Sequence, residues 1–176
     1  MHCPRCQNDN LELAIRCALC GASLIRSSLP PVAAEEELAV AERREATVLF
    51  ADLLGYTEFS QNADVEEVAS VMNAIKQAAI EIVRTYGGVV NQFVGDEIMA
   101  VFGLPYGHED DPRRAVSAAL ELHAFVQSPR VARLLRGHQS LRLHTGVTSG
   151  LVLAHSHDLR DGVFHLTGST VNLAAR

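Results

Sequence analysis

Two carboxylates in matching settings could do chemistry in this sequence. Asp52 closes the apolar run Thr47-Val48-Leu49-Phe50-Ala51 and is followed by Gly55; Asp96 lies in Gly95-Asp96, between the β-rich runs Val89–Val94 and Glu97–Phe102. A Gly-Asp pair between two such runs predicts a tight hairpin of the II′ kind, with Gly95 at the position needing φ > 0 and Asp96 at the tip. A carboxylate ending a buried strand is costly unless it is paired or holds a cation. Two of them, each at a turn, suit an oxygen-ligated Mg²⁺ or Mn²⁺ site that also holds phosphates. Asn172 and Arg176 are four residues apart, which puts them on one helix face. On spacing alone Asn172 is a local cap and Arg176 a surface charge, although an Arg fork also matches phosphate oxygens.

A different chemistry opens the chain. All four cysteines fall between Cys3 and Cys20, as Cys3-x-x-Cys6 and Cys17-x-x-Cys20. Each pair predicts a knuckle aiming two thiolates at one point, and two knuckles make a closed tetrahedral site for structural Zn²⁺. Gly21 allows the second knuckle its turn. Redox CxxC motifs or disulfides are the alternative, but no βαβ pattern surrounds either pair. Four thiolates leave no open position for a catalytic zinc. Residues 1–25 thus resemble a short zinc ribbon that should unfold without metal.

The elements that must position the carboxylates follow from pattern. Residues 26–45 read as a linker broken at Pro30-Pro31, then an Ala/Glu/Arg stretch that favours helix. Residues 46–56 form a strand. Asp64 and Glu67 look like a capping box opening a helix whose core face is Val65, Val68, Met72, Ile75, Ala79, Ile82, Val83 and Tyr86. Gly87-Gly88 ends it. Asp111-Pro112 predicts an N-cap and first turn, not a metal site, with Val116, Ala119, Leu120 and His123 facing the core to about residue 127. A basic helical turn or short helix is expected from Pro129 to Gly137. A strand over 141–147 is expected to turn at Ser149-Gly150 into a second strand over 151–154. A short strand over 163–166 then leads to a last helix starting at Gly168-Ser169-Thr170.

The segments TVLFADLLGYTEFS, GGVVNQFVGDEIMAVFG and TGSTVNLAAR resemble, in order, three motifs of the class III nucleotidyl cyclase catalytic domain, the adenylate/guanylate cyclase family. The resemblance spans residues 46–176. It implies an α/β sandwich with a ferredoxin-like βαββαβ core of mixed sheet. It also implies that the ribose 3′-hydroxyl of a nucleoside triphosphate attacks the α-phosphorus and expels pyrophosphate. Asp52 and Asp96 would hold two Mg²⁺ or Mn²⁺ ions, one at the 3′-oxygen and one at the β/γ-phosphates, with Leu53 and Leu54 adding backbone ligation and phosphate contacts. Asn172 would orient the ribose and Arg176 stabilise charge on the transferring phosphate.

Two positions depart from the family pattern. Its base-selecting Lys aligns with Gln92, and its base-selecting Asp or Thr with His165. A Gln amide both donates and accepts, and a neutral His does either, so base reading is open; ATP is expected, with GTP the alternative. The family works as a head-to-tail homodimer, one chain supplying Asp52 and Asp96 and the other Gln92, His165, Asn172 and Arg176. Family domains also continue past the last helix with further strands and a Lys on the triphosphate, so the sequence is expected to be a piece of a longer chain.

The totals bound these readings. A chain of 176 residues with 48% hydrophobic residues can bury one domain and a small module. A net charge of −6 argues against a broad nucleic-acid footprint. No apolar run approaches a membrane span and no signal peptide opens the chain, so a cytoplasmic protein is expected. The rival functions are a cyclase-like module that binds nucleotide and dimerises without turnover, and an adaptor working through the zinc ribbon toward an unknown protein partner.

Overall fold

The computed structural model describes residues 41–155 and 164–176, together with His2, residues 6–9, Leu19 and Cys20. Two units are present, residues 1–38 and 39–176. In the first, His2 and Asp9 form an isolated antiparallel bridge, joined by a 2.8 Å contact from His2 Nδ1 to Asp9 Oδ1. Cys3, Cys17, Gly21 and the linker residues 26–40 lie outside the described residues.

The second unit is a four-stranded sheet with its longer helices on one face and a short C-terminal helix on the other. Its elements are β1 (Ala41–Leu54), α1 (Tyr56–Asn62), α2 (Val65–Thr85), β2 (Val89–Val94), β3 (Glu97–Phe102), α3 (Asp111–Val126), α4 (Pro129–Leu134), β4 (Arg142–His155) and α5 (Ser169–Ala174). The strand order is β2-β3-β1-β4. That is the βαββαβ arrangement expected, but the sheet is not mixed: β1 pairs antiparallel with both β3 and β4, and β2 antiparallel with β3. Each βαβ half brings its second strand back one position away, leaving room for an antiparallel neighbour between.

Alternation along the strands sorts the core into two layers. Leu49, Ala51, Leu53, Ile98, Ala100 and Phe102 pack under α2, α3 and α4. Ala46, Val48, Met99, Val101, Val152 and Ala154 face the other way and meet Phe164 and Ala174. The period-two pattern of a sheet covered on both faces accounts for β1 reading as an unbroken apolar run.

Several boundaries and faces differ from the expectations. β1 begins at Ala41, within the stretch read as linker, because Ala41 to Glu45 pair with His155 to Leu151. Ser149-Gly150 is no turn; β4 runs through it, with Gly150 opposite Ala46. The glycines of β4 serve contact instead. A Cβ on Gly150 would sit 2.8 Å from Thr170 Oγ1, and one on Gly146 would collide with the Ala174 carbonyl, so both seat α5 on the strand.

On α2, Met72, Ile75, Ala79, Ile82 and Val83 are buried as expected, but Val65 is 80% exposed at the first turn. Asp64 precedes α2 without a side-chain cap bond, and Glu67 pairs instead with Arg136 at 3.0 Å. On α3 the buried face is Ala115, Ala118, Ala119 and Leu122, leaving Val116 and Leu120 outside. Small alanines allow close approach to α2, which turns the larger residues outward. Asp111 is the first helical residue, not the cap, and its carboxylate accepts the His108 N–H at 2.6 Å.

Candidate active site

The hairpin between β2 and β3 has a two-residue loop. Val94 pairs with Glu97, Gly95 takes φ 63°, and Asp96 keeps a negative φ, the II′ pattern the Gly-Asp pair predicts. Asp52 is exposed between buried Ala51 and Leu53, on the sheet face opposite α2 and α3, and stands across from His144 in register. It is therefore not the buried strand-end carboxylate expected; β1 continues through Leu54, and sheet alternation turns Asp52 outward.

β1 and the hairpin tip nevertheless bring Asp52 and Asp96 together. The two carboxyl groups are within hydrogen-bond reach of each other. Asp96 is held above the ordinary carboxylate range, first by burial and then by the hydrogen bond and charge of Asp52. Its own backbone N–H and that of Leu53 pull the other way. Leu53 is buried, while Leu54 is an exposed strand residue opposite Arg142. Two carboxylates this close cannot both ionise cheaply without a cation. The donor set is all hard oxygen and fits Mg²⁺ or Mn²⁺.

Gln92 and the α5 segment lie on that same face. Gln92 is exposed, with Nε2 3.7 Å from Met99 Sδ. His165 is exposed in the segment following Phe164. A strand is expected over 163–166; Val163 lies outside the described residues, and 164–166 are not strand. The segment's pairing with β4 falls at Thr167, whose N–H and C=O bond Leu153 at 3.2 and 2.9 Å. Phe164 is held instead by a side chain, that of Asn91. Asn172 is exposed on α5. Arg176 lies beyond the C-cap Ala175, its N–H 3.4 Å from the Leu173 carbonyl, so the shared helix face ends before it.

Sequence reasoning passed over Asn91 and His144. Asn91 had a signal: it makes two consecutive amides, with Gln92, in an otherwise apolar run. His144 had none, because its relation to Asp52 exists only through the β1–β4 register. Among the described residues no group of three or more His, Cys, Asp or Glu gathers around a metal position, and no helix is long and apolar enough to cross a membrane.

An antiparallel sheet with its longer helices on one face, and with a β1 carboxylate meeting one at the hairpin tip, defines a fold shared with solved nucleotide cyclases. The guanylyl cyclase Cya2 superposes with a TM-score of 0.68 at 30% identity, over 77% of this chain and 70% of that one. The adenylyl cyclase CyaB from P. aeruginosa does so at 0.68 and 28%, over 77% and 71%. The chain belongs to the adenylate and guanylate cyclase catalytic domain family, whose model matches residues 38–176. Receptor-type guanylate cyclase Gyc76C of Drosophila melanogaster is 32% identical over 131 residues, 74% of this chain. Adenylate cyclase 1 of Rhizobium meliloti is 26% identical over 135 residues, 76% of this chain. The chain spans a small part of these relatives, 8% and 20% of their lengths. Relatives of both nucleotide types are thus present.

Proposed function

We propose that this domain converts ATP into 3′,5′-cyclic AMP and pyrophosphate, in the cytoplasm, as a signalling enzyme. The observation that carries the reading is the meeting of Asp52 and Asp96, from separate elements, on the sheet face that also carries Gln92 and the α5 segment. The 3′-hydroxyl oxygen forms a bond to the α-phosphorus as the bond to the bridging oxygen of the β-phosphate breaks; the hydroxyl proton is lost and pyrophosphate leaves. Asp52 and Asp96 would hold Mg²⁺ or Mn²⁺, which when bound would supply positive charge to the triphosphate and ease ionisation of the hydroxyl. Asn172 orients the ribose and Arg176 lies against the transferring phosphate, so that positioning and charge do most of the work. Gln92 and His165 read the base.

The site is shared between two chains in this proposal. Leu54, Val94 and Leu173 support it: all are exposed and each lies within two residues of Asp52, Asp96 or Asn172, where a second copy would cover them. Turnover of Mn-ATP and Mn-GTP by the chain, with products separated by chromatography, tests the function. Cyclic AMP in excess is expected. Cyclic GMP in excess would reverse the nucleotide preference. Nucleotide binding without either product would favour a regulatory module, a reading supported by the neutral Gln92 amide resting on the Met99 sulfur.

Zinc at Cys3, Cys6, Cys17 and Cys20 is proposed for the first unit, supported by the two CxxC spacings and by the antiparallel pairing of His2 with Asp9 on either side of Cys6. Elemental analysis should find about one zinc per chain, lost when Cys6 and Cys20 become Ser. A chain without zinc that keeps its fold would remove this part. If zinc is found, the ribbon's protein partner would be sought by docking of residues 1–45.

A further inference from the structure

Val90 pairs with Ala100 and Gln92 with Met99, so Asn91 has no partner on β3. It is the extra residue of a β-bulge, which turns two consecutive side chains to one face. Both amides accordingly lie over the same sulfur: Asn91 Nδ2 is 3.6 Å and Gln92 Nε2 3.7 Å from Met99 Sδ. Their fates differ. Gln92 is exposed, whereas Asn91 is 9% exposed and committed to one peptide. Phe164 N–H donates to Asn91 Oδ1 at 2.7 Å, and Asn91 Nδ2 donates to the Phe164 carbonyl at 2.9 Å. One amide orientation satisfies both bonds, because the backbone fixes which end donates.

Phe164 is 2% exposed, so its peptide groups have no easy recourse to water. His165 follows directly. Two residues further, Thr167 is fixed to Leu153 by two backbone bonds. His165 is therefore suspended between two anchors, and one of them is the side chain neighbouring Gln92. We propose that Asn91 is a positioning residue for base selection: it fixes where His165 stands relative to Gln92, and so sets the preference between adenine and guanine nucleotides. The proposal rests on the cyclase reading above.

The test uses the whole chain and compares kcat/KM for Mn-ATP and Mn-GTP. Asn91→Leu removes both bonds to Phe164; Asn91→Asp keeps the acceptor for its N–H, loses the donor, and serves should the Leu variant fail to fold. The ATP/GTP ratio should move about tenfold in the Leu variant and less in the Asp variant. The rise in Tm caused by Mn²⁺ without nucleotide should be unchanged, since Asp52 and Asp96 are untouched. In a His165→Ala background the same substitutions should no longer move the ratio. An equal fall for both nucleotides, or a shift that persists without His165, would overturn the proposal and leave the cyclase function standing. If the parent chain binds but does not turn over nucleotide, the ratio of Kd values by calorimetry decides in the same way. A parent chain that binds neither nucleotide overturns the function first, and base selection with it.

Discussion

The carboxyl groups of Asp52 and Asp96 stand within hydrogen-bond reach of each other, one from within β1 and one from the tip of the β2–β3 hairpin. Only a protonated carboxyl can donate in such a pair, so at neutral pH it must share a proton, separate, or hold a cation. Asp96 is held above its ordinary range by burial and then by Asp52. A raised folded-state value means that the group favours folding below the ordinary carboxylate pKa, and that this contribution is lost as pH rises through the raised value. Without metal, the Tm of the chain should therefore fall over that window. Mn²⁺ should restore it, more strongly near neutrality than in mild acid. A Mn²⁺ increment that does not change with pH would contradict the pairing. Asp96→Asn should abolish the increment and lower cyclase activity about 100-fold or more, while the metal-free Tm at neutral pH stays level or rises.

Gly146 should be intolerant for a reason unrelated to turns. It lies in mid-strand, and a Cβ there would meet the Ala174 carbonyl, while Gly150, four residues along β4, lies against Thr170, one helical turn from Ala174 on α5. Thr170 Oγ1 in turn donates to the Leu151 carbonyl at 2.8 Å. Gly146→Val should cost about 1–3 kcal/mol in calorimetric stability by lifting α5 from β4. It should lower activity further than stability explains, because Asn172 rides on α5. A variant with full activity and unchanged Tm would show that α5 is not seated this way.

The hairpin and the α2 core were legible in the sequence because both are local. Gly95-Asp96 specifies its own turn, and residues such as Met72, Ile75 and Ala79 repeat at helical spacing. What stayed hidden depended on distant partners. Ser149-Gly150 has turn chemistry, yet it is strand because Thr47 and Ala46 pair with it, Thr47 Oγ1 lying 2.8 Å from Ser149 Oγ, and because α5 needs the space. The face of α3 was misjudged because Val116 and Leu120 look more core-like than the alanines that pack there. The site residues could be found by motif, but not Asn91: its partner Phe164 is 73 positions away, and the bulge that aims it is a property of the β2–β3 register.

A site shared between two chains makes a mixing experiment decisive. If Asp52 and Asp96 come from one chain and Asn172 from its partner, an Asp96→Asn chain and an Asn172→Ala chain are each inactive alone. Random pairing makes half the dimers mixed, with one intact site in two, so about a quarter of parent activity should return. No recovery under conditions where the two chains associate would place every functional residue in a single chain.

Base selection offers the last test. Gln92 and His165 are both exposed and are linked through the Asn91–Phe164 clamp, and an amide or an imidazole can each donate or accept. A Lys at position 92 supplies a donor alone, suited to adenine N1. An Asp at position 165 supplies an acceptor alone, suited to the adenine amino group. Gln92→Lys with His165→Asp should therefore raise the kcat/KM ratio for ATP over GTP by about tenfold, because a wrong base then leaves buried polar groups unpaired. The single changes should each do less than half of this on a logarithmic scale, since the two positions act on one ring. If the double variant leaves the ratio where it was, the base is read elsewhere, and Gln92 and His165 lose their assignment while Asp52 and Asp96 keep theirs.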